Sequence, residues 1–370
     1  MNNSSFSYID STQALSVICE KIKGSDYLAI DTEFQRETTY YPIPALIQLH
    51  ARNEIFLIDP AAVEEFSPLV ELFDDHTITK IMHSCTEDLE VFMQLFQTVP
   101  SPLFDTQVAA ALCGLGFSTS YSKLVEVISG ETLDKSETRS NWLQRPLTVS
   151  QCQYAADDVR LLPQIYDELR ARLQQSGRNR WCEQECQRML ATGKTEIDPE
   201  LSYLRFKSAW RLDEQQLLTL RSLSAWRERL ARETDVPRGR IISDAVLFEL
   251  AQSKISTLAD MQPIKGIGSY TLRKYGKVIL AIIDRAKTEE AKPIALLPNK
   301  KLREYRELIK LMQATAQEVA SLEALPVEII GRKRDLEEYL VDKESSLIQS
   351  SWRAELIAEK LDQLIKNSNY

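Results

Sequence analysis

Asp31 and Glu33 stand one residue apart at the end of an apolar run, Tyr27-Leu28-Ala29-Ile30-Asp31-Thr32-Glu33-Phe34. Such a run reads as a strand, and on a strand residues i and i+2 point to one face. The two carboxylates therefore aim at one point, where their repulsion is costly unless a cation lies between them. Donors that are all oxygen suit a hard ion such as Mg²⁺ or Mn²⁺. Three further segments can complete such a site. His83-Ser84-Cys85-Thr86-Glu87-Asp88-Leu89 sets Asp88 in the first turn of a helix, just past the carboxyl end of a strand, where α/β sheets gather functional groups. In Tyr154-Ala155-Ala156-Asp157-Asp158 the Tyr154 hydroxyl and the Asp158 carboxylate share a helix face, the two alanines keep bulk away, and Asp157 faces elsewhere. The loop from Gln35 to Pro42 carries Arg36, two threonines, Tyr40 and Tyr41, a mix that can hold a phosphate and stack a base. Taken singly, each segment has a plainer reading: a first-turn acid that favours the helix dipole, a tyrosine packed on a sheet, a polar loop.

The elements that must position these groups follow from the pattern of apolar residues. Residues 27–34, 45–51 and 54–58 read as strands, the last two joined by a hairpin at Arg52-Asn53. A helix is expected over 61–74, a strand over 78–84, and helices over 87–97, 105–113 and 120–128. One more helix is expected from Ser150 to about residue 175, with Thr148 as its N-cap. A meander of strands followed by strands alternating with helices gives a mixed α/β sheet covered by helices. Beyond residue 195 the strand signal fades, and 207–290 and 298–368 read as helical, joined by a charged, proline-bearing linker over 287–298. The two helical halves resemble each other. Trp226 to Glu233 is followed by Pro237 and Ile241-Ile242, as Glu318 to Glu323 is followed by Pro326 and Ile329-Ile330.

A chain of 370 residues exceeds one typical core, so two or three domains are expected. No apolar run approaches the roughly 20 residues of a membrane span. The polar start Met-Asn-Asn-Ser-Ser lacks the pattern of a secretory signal, and a cytoplasmic protein is expected. The six cysteines form no CxxC pair and read as reduced, buried thiols; three histidines are too few for a zinc site of the usual kind. The net charge of −9 argues against nucleic acid until it is divided. Residues 1–200 hold 16 Lys and Arg against 30 Asp and Glu, whereas 207–290 hold 15 against 11 and 291–370 hold 13 of each. An acidic, carboxylate-rich part beside a basic helical part fits a division between chemistry and polyanion grip.

Together, Asp31, Glu33, Asp88, Tyr154 and Asp158 resemble the signature of the DEDD 3′–5′ exonucleases, in the subgroup with a tyrosine four residues before the last aspartate. Within that group the chain resembles the ribonuclease D family. The likeness is carried by Asp31 to Pro42 followed by Leu46-Ile47-Gln48-Leu49, by His83 to Glu90, by Leu133 to Glu137 with Trp142 and Arg145-Pro146-Leu147, and by Tyr154 to Val159. The tail resembles the HRDC modules (helicase and RNase D C-terminal) that follow this nuclease, most clearly at Ile264 to Gly276. Ala45 stands where many relatives have Gly, and the second helical copy lacks the Gly-Ile-Gly segment. The resemblance implies an RNase H-like exonuclease domain over 1–195, a first HRDC domain over 207–288 and a second HRDC-like domain over 298–370.

It further implies two divalent cations, Mg²⁺ or Mn²⁺, about 3.5–4 Å apart, clamping the scissile phosphate. Asp31 would bridge both ions. Glu33 and Asp158 would complete the site that activates water, Asp88 would help anchor the second ion, and Tyr154 would orient the water. Asp105 and Lys135 match family positions with structural roles expected. Arg36, Tyr40 and Gln48 are candidate contacts to the terminal nucleotides. Around the turn Gly266-Ile267-Gly268, the glycines let backbone amides approach a phosphate while Lys265, Arg273, Lys274 and Lys277 supply charge; a plain interhelical turn is the equal alternative. The expected activity is release of 5′-nucleoside monophosphates from the 3′ ends of RNA, in processing of tRNA precursors and other small structured RNAs. A DNA 3′–5′ exonuclease, or a non-catalytic nucleic-acid-binding protein on the same fold, are the alternatives.

Overall fold

The computed structural model describes residues 5–134, 136–195, 198–288 and 294–368. Lys135 and part of the expected linker, residues 289–293, lie outside the described residues. The chain forms two compact units, one drawn from 1–36, 41–196 and 324–329, the other from 37–40, 197–323 and 330–370. No described helix is long and apolar enough to cross a membrane.

The first unit is a six-stranded mixed sheet. Its strands are β1 (Phe6–Ile9), β2 (Tyr27–Gln35), β3 (Ile43–Ala51), β4 (Glu54–Ile58), β5 (Thr79–Met82) and β6 (Leu103–Asp105), in the order β1-β4-β3-β2-β5-β6. β2, β3 and β4 are antiparallel neighbours, while β1, β5 and β6 join in parallel. Arg52 and Asn53 both take positive φ, of 50° and 61°, the conformation a two-residue hairpin needs to follow the strand twist. The helices are α1 (Thr12–Ile22), α2 (Ser67–Asp74), α3 (Thr86–Phe96), α4 (Thr106–Leu112), α5 (Tyr121–Ser129), α6 (Val149–Arg160), α7 (Leu162–Ser176) and α8 (Asn179–Lys194).

Two expectations are corrected. The helix expected over 61–74 begins only at Ser67, because Asp59 Oδ1 takes the Ala61 N–H into a turn at 3.0 Å and Pro68 suits a first helical turn. The single helix expected from Ser150 to 175 is two, broken at Leu161, where Pro163 opens α7 and cannot donate to the turn before it. β1, α1, β6 and α8 were not anticipated. The expected cap holds: Thr148 Oγ1 accepts from Gln151 N and the Gln151 side chain accepts from Thr148 N, a reciprocal capping box.

α6 lies on the face of the sheet that presents Ala29, Leu46, Ile55, Leu57 and Ile81, and buries Cys152, Ala155, Ala156 and Val159 against them. The paired alanines let the helix backbone come close to β2 and β3. All six cysteines are free, and all but Cys113 are buried.

The second unit is helical. Long α9 (Glu214–Thr234) is followed by a four-residue helix, Arg238–Ile241, a nine-residue helix, Asp244–Gln252, and a long closing helix, Ser269–Thr288. Later in the chain Arg306–Leu322, Lys333–Val341 and the closing Glu359–Asn367 belong to the same unit, while the four-residue helix Val327–Ile330 falls, but for Ile330, in the first unit. The first three helices of the two series run long, four and nine residues in turn, but the closing helices differ, at 20 residues and nine.

Candidate active site

β2 and α6 bring the acidic residues together. Asp31 pairs with Gln48 and Glu33 with Leu46 across the β2–β3 ladder, so both acids share the face that α6 covers. A register shift between Glu33 and Phe34 bends β2 just beyond the pair. Tyr154 and Asp158 occupy one stripe of α6, whose neighbours Ala155 and Ala156 pack on the sheet. Asp31, Glu33, Tyr154 and Asp158 keep part of their surface open, as the floor and wall of a cleft do, whereas Asp88 is buried.

Asp88 reaches the group from α3. Thr32, on the opposite face of β2 from Asp31 and Glu33, donates its hydroxyl to Asp88 Oδ1 at 2.5 Å. The start of α3 is itself held: Asp105 Oδ2 accepts from Cys85 N at 2.9 Å, while Asp105 Oδ1 caps α4 through Gln107 N and Val108 N. Asp105 thus ties two helix starts together and needs no catalytic role. Ser84, at φ 56°, makes the sharp turn between β5 and α3.

The electrostatics record how closely the acids face one another. Burial and then the charges of Asp88, Asp158 and Glu33 push the Asp31 carboxyl well above the ordinary range. Burial, with Asp158 and Asp88, raises Glu33 to about 9. Asp158 rises to about 7 through burial and its neighbour Asp157. Asp88 rises to about 6 through burial, against which the Thr32 hydroxyl holds it down. Tyr154 rises to about 12 through burial and Asp158. No three acidic, histidine or cysteine side chains among the described residues close to the spacing of a metal's ligand shell. Carboxylates that offer only oxygen, with Asp31 and Glu33 raised by the charges of Asp88 and Asp158, nonetheless fit hard divalent cations, whose charge would relieve the repulsion.

Tyr154 is steered from outside α6. Its hydroxyl lies 3.4 Å from Thr138 Oγ1 and its ring 5.9 Å from that of buried Trp142. The loop carrying Trp142 is fastened by Arg145, which grips Asp59 through Nε at 2.5 Å and Nη2 at 2.7 Å, and also donates to the Ala45 and Trp142 carbonyls.

The expected nucleotide contacts fare differently. Arg36 pairs with Glu90 of α3 at 2.6 Å. Tyr40 is corrected: it is 8% exposed, in the second unit, its hydroxyl donating to Glu228 and receiving Arg238 Nη2 at 2.8 Å, with the Arg238 guanidinium 4.6 Å from its ring centre. Its ring and hydroxyl are spent on that cluster and are closed to a base. Gln48 is also corrected, since it is 0% exposed and cannot touch a nucleotide. Lys265, Gly266 and Gly268 lie on an exposed turn before Ser269–Thr288. Gly266 has φ 98°, and a Cβ there would come within 3.0 Å of Val246 Cγ2, so this turn requires glycine. Thr32 is the participant sequence reasoning missed; its only local signal is its place between two acids.

A family model described as a 3′-5′ exonuclease matches residues 6–174, and one described as the HRDC domain matches residues 216–283. Ribonuclease D of Shewanella sp. (strain ANA-3) is 36% identical over 98% of this chain and 95% of its own length. Ribonuclease D of Escherichia coli (strain K12) is 35% identical over 98% of each chain. The crystal structure of Escherichia coli RNase D, described as an exoribonuclease involved in structured RNA processing, superposes with a TM-score of 0.86 over 99% of this chain and all of that one, at 34% identity.

Proposed function

The chain belongs to the ribonuclease D family of 3′–5′ exoribonucleases, and from that premise we propose that Asp31, Glu33, Asp88 and Asp158 hold two divalent cations, Mg²⁺ or Mn²⁺, beside Tyr154. When bound, the cations supply the positive charge that stabilises the scissile phosphate and both the attacking and the leaving oxygen. The observation that supports the reading is the electrostatic environment of Asp31 on β2, whose carboxyl is raised by its burial and by the charges of Asp88 on α3, Asp158 on α6 and Glu33 beside it. Asp31, central to the group, is the residue whose two oxygens can serve both ions. Glu33 and Asp158 face each other from strand and helix. Asp88, fixed by Thr32, closes the far side.

Tyr154 holds its proton at neutral pH, since its pKa is pushed up to about 12. Its hydroxyl therefore orients the attacking water by hydrogen bonding and does not act as a base. The product is a 5′-nucleoside monophosphate from an RNA 3′ end, and the substrates are tRNA precursors and other small structured RNAs in the cytoplasm. The second unit is read as two modules, 207–288 and 298–370, the first gripping RNA phosphates at Lys265, Gly266 and Gly268, while Arg36 contacts the terminal nucleotides.

A timed digestion of 3′-extended tRNA precursor, and of DNA of matched sequence, tests this in Mg²⁺, in Mn²⁺ and in EDTA. Mononucleotides should accumulate from the RNA only with metal, and Asp31→Asn should release none. Undiminished release by Asp31→Asn, or in EDTA, refutes the assignment.

A further inference from the structure

Gln48 carries a buried amide for which the proposed chemistry has no use so far. Its side chain is 0% exposed, and neither Nε2 nor Oε1 finds a hydrogen-bond partner among the described residues. A buried amide left unpaired is destabilising, so a group that would satisfy it is to be sought nearby. The register says where. Gln48 stands opposite Asp31 on β2 and opposite Leu57 on β4. On the same face, α6 buries Cys152, Ala155, Ala156 and Val159, with Tyr154 packed against the cluster. His50, two residues along β3, has its Nδ1 at 3.1 Å from the Val159 carbonyl. Directly opposed side chains on neighbouring strands have Cβ atoms about 4.5–5.5 Å apart, within reach of a glutamine amide. The charged group placed directly opposite Gln48 in the ladder is the Asp31 carboxylate.

We propose that Gln48 is a positioning residue for the metal site: when cations are bound, its Nε2 donates to the Asp31 carboxylate and fixes which lone pairs that carboxylate turns to the ions. This rests on the reading of Asp31 as a metal ligand. A carboxylate that rotates freely can bind one ion well and a second poorly; a donor behind it selects the orientation serving both. Groups that orient ligands in this way are typically worth roughly 10–100-fold in metal affinity.

Calorimetric titration of Mn²⁺ into substrate-free protein tests the proposal with wild type, Gln48→Leu and Gln48→Met, beside thermal melts in EDTA. Both variants should bind Mn²⁺ about 10–100-fold more weakly, and in EDTA should melt no lower than wild type, because each replaces an unpaired amide by apolar surface. Mn²⁺ affinity within twofold of wild type in the variants overturns the role of Gln48 alone. Absence of saturable Mn²⁺ binding by wild type overturns the metal site together with it. Melting of both variants far below wild type in EDTA, or their failure to fold, overturns it too, since it makes the amide a structural group of the cation-free fold.

Discussion

The Thr32 hydroxyl donates to Asp88 Oδ1 at 2.5 Å, joining β2 to the first turn of α3 across 56 positions of sequence. The bond does two things at once. It fixes the carboxylate from the side away from Asp31, and it favours the charged form of Asp88, whose burial pushes the other way. Thr32→Val keeps the shape and removes the donor. A hydrogen bond to a charged group is worth about 1.5–3 kcal/mol, so kcat/KM on RNA should fall roughly 10–100-fold at pH 7. The loss should shrink as pH rises, because the Asp88 of the variant, now of higher pKa, ionises later. A pH profile of kcat/KM for both proteins measures this; a uniform loss at every pH would place the role of Thr32 elsewhere.

The cation-free protein should lose stability as pH rises. Asp88, Asp158 and Glu33 have folded-state pKa values of about 6, 7 and 9, all above the ordinary carboxylate range. Between about pH 4 and 9 the folded state therefore binds more protons than the unfolded chain, and linkage makes unfolding easier as those protons leave. In EDTA the melting temperature should fall from pH 5 to pH 9, and saturating Mn²⁺ should flatten the slope. Asp31→Asn should melt higher than wild type in EDTA at pH 8, having one repelling charge fewer. A slope that metal leaves unchanged would mean that other groups set it.

What the sequence disclosed divides along the range of the interactions. The Asp31–Glu33 pair, the Thr148 N-cap and the Arg52-Asn53 hairpin are local, and each was legible from residues within a few positions. β1 escaped because four residues have no period to detect, and their pairing with β4 spans 49 positions. The break at Leu161 escaped because Pro163 is tolerated in a first helical turn and leaves the apolar spacing intact. Tyr40 looked like a loop aromatic beside a phosphate site; its partner Glu228 lies 188 positions away. Gln48 read as a contact to the terminal nucleotides, and only the ladder register shows it opposite Asp31.

Tyr40→Phe separates a structural tyrosine from a substrate contact. The hydroxyl bonds Glu228 and receives Arg238 and Arg232, and those arginines with Tyr40 hold Glu228 at about 2 against its burial. Glu228 keeps both arginines in the variant, so the expected loss is about 1–2 kcal/mol of stability. KM for RNA should stay within twofold. Urea unfolding and steady-state kinetics check the two halves; a KM rise of tenfold with unchanged stability would return Tyr40 to the substrate.

Arg145→Met should loosen the loop that carries Trp142. Asp59 is nearly fully buried and accepts from Arg145, from Tyr8 at 2.8 Å and from Ala61 N at 3.0 Å, so removing the guanidinium leaves a buried carboxylate with two neutral donors and no cation. Breaking a fully buried pair costs roughly 3–5 kcal/mol, and the Arg145 side chain is 28% exposed, so about 2 kcal/mol is expected here. Burial works to raise the Asp59 pKa, but Arg145 and Tyr8 hold it below the ordinary value. Stability from a lowered carboxylate pKa is present above the unfolded value near 4 and is lost as pH falls through the folded one. The penalty of Arg145→Met should therefore be full at pH 7 and smaller at pH 3.5. Arg145→Lys should recover only part of it, since an ammonium cannot span both Asp59 oxygens and the Ala45 carbonyl. Urea unfolding at the two pH values checks the sign. A fall in kcat with little change in KM would accompany it if the Trp142 ring sets the pose of Tyr154; a penalty independent of pH would show that packing, and not the ion pair, anchors the loop.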